Sequence, residues 1–271
     1  MRRPSHSWAA GASAFVFAMV PVCAVASGAV SVDEYRTIHS VAVISNLDTE
    51  IAARNIGITV FSNSHYTLRL DEDINAFLVS KTAALLAARF SVVATQLDTT
   101  SFVDPDVMTG TLFTRRRTGP ALPTSGGPDA YVVVYPQSAP GNDAPAISLT
   151  HHDGMFGHDQ TELTVAYHVS VFDGRTGARI DYGPGKYPSP DPLLKNTYPH
   201  MACESSVWAA TAEEVTDTQK KIIASVVLSM LDRSIPYALG AAKLIPEDVA
   251  DTAGQNAARI AAVRSLPCVQ F

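Results

Sequence analysis

The chain reads as an α+β protein in which a mixed, largely antiparallel sheet carries two or three helices on one face. Three observations predict this. Thr161 to Asp181 has strand, turn and strand signals in succession, two stretches carry apolar residues at helical spacing, and most strand signals follow one another without an intervening helix.

Residues 1–26 have the parts of a removable secretory signal: Arg2 and Arg3, an apolar run from Trp8 to Val25, and Ala24-Val25-Ala26 before Ser27. Pro21 breaks the run, which argues against a membrane anchor. Val20-Pro21-Val22 lacks the small residue that lipidation of Cys23 would need. The expectation is a periplasmic or secreted protein. It divides into an α+β domain over 27–240 and a helical appendage over 241–271 packed on the same domain.

Ile38 to Ser45 is a β-branched run suited to an inner strand. Ile56 to Phe61 and Tyr66 to Leu70 flank Asn63-Ser64-His65 and read as a hairpin. Asp71 stands as a helix N-cap, and Ile74, Phe77, Leu78, Leu85 and Ala88 then fall on one helical side. Phe90 to Ala94 returns as a strand. From 104 to 129 the signal fades into prolines, glycines and Arg115-Arg116-Arg117, a solvated loop with some capacity for an anion. Tyr131 to Tyr135 is a central strand, 136–145 a linker, and Ala146 to Thr150 another strand.

In Thr161 to Asp181, Leu163, Val165, Tyr167, Val169 and Val171 recur with period two and should face a core. Asp173 to Gly177 supplies the reversal into a short strand at Ala178 to Asp181. The prolines of 183–199 exclude helix and inner strand. Thr211 and Glu214 form a capping box for a helix to Asp232, and a third helix starts at Pro246 and runs to about Arg264. Cys203 and Cys268 are the cysteines left after the signal, an even number for an oxidising compartment, and a disulfide between them would tie down the tail.

The strand Val41 to Ser45, the helix-to-strand turn Leu86 to Val93, the strand Asp129 to Val134 and the turn Val171 to Gly177 together resemble exported α/β modules of the TolB amino-terminal and CsgG-like kind. The chain adds an early hairpin and long loops to that pattern. The resemblance implies an accessory or assembly part of the cell envelope with a binding role.

The net charge of −6 becomes more acidic once Arg2 and Arg3 are removed, which argues against nucleic acid or an anionic membrane as the main partner. The chain has no GxSxG elbow, no GxxxxGK[ST] loop and no GxGxxG after a strand. Tyr182 and Lys186 have the spacing of a dehydrogenase pair, but Gly183-Pro184-Gly185 between them cannot form the helix that pair needs. No catalytic and no cofactor-binding residue is assigned.

The densest polar cluster is His151, His152, Asp153, His158 and Asp159, on a loop with Gly154 and Gly157. Imidazoles and carboxylates are the donors that zinc or a similar divalent ion takes, although the spacing matches no established motif. Two functions follow. The first is a non-enzymatic periplasmic accessory or binding protein that presents the loops at 104–130, 136–145 and 183–200 to an envelope protein, with no stable membrane span. The alternative is a metal-binding protein or metal-dependent hydrolase centred on the His151 to Asp159 loop.

Overall fold

The computed structural model describes residues 32–47, 50–95, 97, 108–109, 116–117, 122–137, 146–154, 159–187, 198–263 and 267–269. The expected signal at 1–26, with Cys23, lies outside them. So do His158, the arginine-triplet position 115 and most of the three long loops.

The elements run in the order β1 (Ser40–Ser45), β2 (Glu50–Ile56), β3 (Ser64–Arg69), α1 (Ile74–Leu86), β4 (Ser91–Val93), β5 (Met108–Thr109), β6 (Arg116–Arg117), β7 (Ala130–Pro136), β8 (Ile147–His152), β9 (Gln160–Val165), β10 (Tyr167–Asp173), β11 (Arg179–Pro184), β12 (His200–Cys203), α2 (Asp217–Ala241), α3 (Glu247–Val263) and β13 (Cys268–Val269). This is the α+β class that the alternation and helical spacing predict. The strands form two mixed sheets and one small pairing. The first sheet has the order β11-β10-β7-β1-β4, the second β13-β12-β9-β8-β2-β3, and β5 pairs with β6 alone.

The two large sheets match in strand order through four chain crossings, β1 to β2, β7 to β8, β9 to β10 and β11 to β12. β1 runs parallel to β7 in the first sheet, and their continuations β2 and β8 run parallel in the second. β10 is antiparallel to β7, and its forerunner β9 is antiparallel to β8. β11 is antiparallel to β10, and β12 is antiparallel to β9. Each of the four strand pairs therefore passes between the sheets at one crease without losing its neighbour. At the crease Ala166 alone separates β9 from β10, Gln137 N donates to Ala166 O (3.1 Å), and Ala166 N donates to Ala146 O (2.7 Å). The first crossing is held by α1: Asn75 Oδ1 accepts from Leu47 N (2.9 Å) and Ser45 Oγ (2.7 Å), while Asn75 Nδ2 donates to Leu47 O (2.9 Å).

The row from Leu163 to Val171 is buried throughout and passes the crease unbroken in phase. With Val41, Val43, Ile51, Val132, Val134, Ile147 and Leu149 it forms one continuous core with the helices. α2 contacts β9, β10 and β11, α1 contacts β1, β4 and α2, and α3 packs on α2. By length and composition α2 could cross a membrane, but its buried positions Val226, Val227, Met230, Leu231, Ile235 and Leu239 belong to this core. Gly183 permits the close approach of β11, since a Cβ there would strike the Ala238 carbonyl of α2. The other face of the first sheet buries Ala42, Ile44, Tyr131, Val133, Tyr135 and Phe172 beneath Leu122.

Several local expectations shift by a residue or a turn. Asp73, not Asp71, caps α1, accepting from Ala76 N (2.8 Å). The capping box of α2 is Thr216 with Gln219, and Thr211 to Glu214 lies on a preceding 3-10 turn. Gln219 wins because its Nε2 also donates to Ser206 O (3.0 Å) and Trp208 O (3.2 Å). α2 continues past Asp232 and through Pro236. The early hairpin pairs Glu50–Ile56 with Ser64–Arg69, so Ile56 to Phe61 is largely its tip and not a strand. Cys203 and Cys268 are bonded, joining β12 to β13.

Two buried tyrosines tie α2 to the sheet. The Tyr167 and Ser234 hydroxyls share a hydrogen bond (2.6 Å), and Tyr187 OH donates to Met230 O (3.2 Å). Burial pushes both phenol pKa values far above the ordinary tyrosine range. A raised folded-state pKa means that stability is complete below the unfolded value near 10 and is lost as pH rises above it. In an alkaline titration the phenolate absorbance of these two residues is expected to appear only together with loss of far-ultraviolet circular dichroism. Tyr167→Phe should reduce the fall of stability above pH ~10 by up to about 1.4 kcal/mol per pH unit. An unchanged slope in pH-dependent denaturation would show that Tyr167 ionises without unfolding.

Candidate functional site

The polar cluster singled out in the sequence lies at the end of the second sheet that is remote from the crease. β8 extends to His152, so His151 and His152 are strand residues and not part of the connecting loop. Successive strand residues point to opposite faces. His151 is buried on the core face, whereas His152 is exposed on the outer face.

Cross-strand register aligns six residues across the sheet: Ser64, Asn55, His151, Thr161, Cys203 and Cys268. The bonds along this row consume most of its chemistry. His151 Nδ1 shares a hydrogen bond with Thr161 Oγ1 (2.8 Å), and the imidazole stacks on the Trp208 indole with centroids 5.1 Å apart and planes 6° from parallel. Trp208 also meets Tyr66 of β3, with ring centroids 5.7 Å apart and planes tilted by 41°, and Tyr66 OH donates to Ala209 O (2.8 Å). Burial, then the charge of Glu214, raises the Tyr66 pKa.

Asp153 lies where β8 ends. Its backbone N donates to Ile56 O (3.1 Å), Oδ2 accepts from Asn55 Nδ2 (3.1 Å), and Oδ1 stands 3.6 Å from His151 Nε2. Asp159 Oδ1 accepts from Gly154 N (3.0 Å). The structure thus brings His151 and Asp153 together, turns His152 away and ties Asp159 to backbone. Among the described residues no three His, Cys, Asp or Glu side chains gather as a metal set.

A hydroxyl, an imidazole and a carboxylate in sequence, Thr161 to His151 to Asp153, have the composition of a nucleophilic triad. The geometry supports a structural role. Thr161 is only 2% exposed, so no substrate carbonyl can approach its Oγ1, and 3.6 Å is too long for an orienting hydrogen bond. His151 closes the end of the core, with its polar edge satisfied by Thr161 and its face covered by Trp208.

Thr161, Asn55, Trp208 and Tyr66 were not singled out by sequence. Only the pairing of β8 with β9 could have matched Thr161 to His151, and nothing local to Trp208 announces a stacking partner. At the opposite end, Asp129 Oδ2 accepts from His39 N, Ser40 N (both 2.9 Å) and Ser40 Oγ (3.0 Å), and the two backbone bonds hold its carboxyl below the usual range. Near it a cavity of about 470 Å³ is lined by Ser40, Leu97, Ser125, Gly126 and Tyr131 among others. Among the described residues that line it none is charged. No protein-family model and no curated protein matches the chain.

Replacing His151 by Phe keeps an aromatic face for Trp208 but deprives the buried Thr161 hydroxyl of its partner. The expected cost is about 1–3 kcal/mol in chemical denaturation, largely recovered in His151→Phe/Thr161→Val. Equal destabilisation in the single and double variants would remove the hydrogen bond from this account.

Proposed function

We propose that the protein is a non-enzymatic accessory or binding protein of the cell envelope that presents Pro/Gly-rich loops to a protein partner. The observation that carries this reading is where two of the loops are rooted. Residues 138–145 leave after Gln137, whose N donates to Ala166 O, and rejoin at Ala146, whose O accepts from Ala166 N. Residues 188–197 leave just beyond Gly185, whose N donates to Tyr167 O (2.9 Å), and rejoin near Pro199, whose O accepts from Val165 N (2.9 Å). Both loops are therefore stemmed on three consecutive residues, Val165, Ala166 and Tyr167. A rigid scaffold that gathers long loops at one place is a common basis for recognition. The resemblance to envelope modules of the TolB amino-terminal and CsgG-like kind points the same way, as does the use of the His151 cluster in core closure. The expected export to the periplasm supplies the compartment.

Replacement of 190–196 by a Gly/Ser spacer of equal length should abolish association with the envelope partner recovered by cross-linking of the native protein. The thermal midpoint should stay unchanged, because the stems are retained. Recovery of the same partner by the altered chain would refute the reading, as would turnover of a model ester, phosphate or glycoside that a point substitution abolishes.

One observation favours the alternative of a metal centre. His151 Nε2 and Asp153 Oδ1 face each other at 3.6 Å while Thr161 fixes the other imidazole nitrogen, the arrangement that holds a ligating histidine in one orientation. A zinc-like ion would take these two atoms, with His158 and Asp159 as further donors, and an open position would permit metal-dependent hydrolysis. Elemental analysis of protein made without a histidine tag should then show about one equivalent after desalting, lost in Asp153→Asn. Less than about a tenth of an equivalent after zinc incubation excludes this reading.

A further inference from the structure

The tip of the β2–β3 hairpin exposes an unusual set of side chains. Phe61 is 96% exposed, Ile58 63% and Ile56 43%. Single exposed apolar residues are ordinary, but here three occur within a loop, 56–63, that contains no charged residue. The loop's own bonds hold them out. Gly57 N donates to Asn63 Oδ1 (3.0 Å), Ser62 N to Thr59 O (2.9 Å), and the Thr59 and Ser62 hydroxyls share a bond (2.8 Å). Gly57 cannot carry a Cβ, which would collide with Ser62. The polar groups of the turn thus satisfy one another, and Ile58 and Phe61 point outward.

This shape is convex, extending past the last strand pair, Asn55 with Ser64. Charge favours one class of partner. Behind the tip on the outer face stand Arg54 with its register partner His65, and His152 opposite Ile56, all exposed. Among the described residues of that face, the acid nearest in register to Arg54 is Glu162, two strands away. The Asp153 carboxylate lies on the core side, bonded to Asn55. An uncharged apolar point backed by the Arg54 guanidinium, with the polar rings of His65 and His152 beside it, complements a bilayer interface with anionic headgroups.

We propose that this hairpin is a lipid-docking element: Ile58 and Phe61 enter the interface of an anionic membrane while Arg54 meets headgroup phosphates. Two or three apolar side chains give weak, reversible binding. The site is separate from the crease and does not depend on the loop reading.

The test is sedimentation of the purified full chain with vesicles of phosphatidylethanolamine and phosphatidylglycerol, compared with phosphatidylcholine alone. Ile58→Ser/Phe61→Ser should lower partitioning about tenfold or more at unchanged thermal midpoint. Arg54→Gln should weaken binding to the anionic vesicles only. As a site-specific readout, Phe61→Trp should show a blue shift, in difference from the unsubstituted protein, and quenching by brominated acyl chains. Equal sedimentation of wild type and the double serine variant overturns the proposal. So does a Phe61→Trp emission that ignores vesicles, including one that shifts only with an envelope protein extract.

Discussion

The fold depends on keeping strand neighbours together across the crease at Val165 to Tyr167. Four strand pairs pass between the sheets there, and the backbone groups released where the strands end need partners. Ala166 meets this demand twice, with N to Ala146 and O from Gln137, and Asn75 meets it for Leu47 from the start of α1. Because the alternation from Leu163 to Val171 keeps its phase, the same face is buried on both sides of the bend. One helical layer can then cover two sheets. Tyr167, the first residue past the bend, reaches Ser234 and couples the crease directly to α2.

Much of this was legible. Period-two burial from Leu163 to Val171, the strand at 131–135 and the third helix near Pro246 follow from spacing alone. The bend at Ala166 was not, because a sheet switch that preserves phase leaves the hydrophobic pattern unchanged. The hairpin tip was misread for a related reason: Ile56, Ile58 and Val60 alternate with Gly57 and Thr59 as strand residues do. What separates tip from strand is the bond from Gly57 to Asn63, together with the absence of space for a Cβ at Gly57, neither of which periodicity reports. Likewise Thr211 with Glu214 and Thr216 with Gln219 both satisfy the capping pattern. The choice falls to Gln219 through its reach to Ser206 and Trp208, contacts made by tertiary folding.

The candidate site shows the same limit more sharply. Density of imidazole and carboxylate along a sequence measures proximity in the chain, while strand geometry sends consecutive side chains to opposite faces. His151 and His152, adjacent in sequence, are separated by the sheet itself. The row that His151 joins instead is assembled from β2, β3, β9, β12 and β13, so its other members lie far along the chain. The disulfide between Cys203 and Cys268 terminates that row and fixes β13 against β12, covering an edge that would otherwise present unpaired backbone groups.

The two ends of the second sheet consequently differ in kind. β2 begins beside the crease at Glu50 and ends at the tip with Ile56, seven residues that span about 20 Å. At the near end, loops are rooted on a junction that the whole core stabilises, so sequence change within them leaves the stems intact. At the far end, the exposed apolar residues sit on a turn closed by its own hydrogen bonds, and their substitution likewise leaves the core untouched. Substitution at the tip carries little stability cost, because Ile58 and Phe61 contribute little burial to the fold. The His151 cluster between them is the opposite case: Thr161, Trp208 and Tyr66 depend on it, and a change there is felt first as lost stability. That distinction, between groups already committed to packing and groups held outward by the fold, is the basis on which we propose binding at the loops and the tip and a structural role for the histidine.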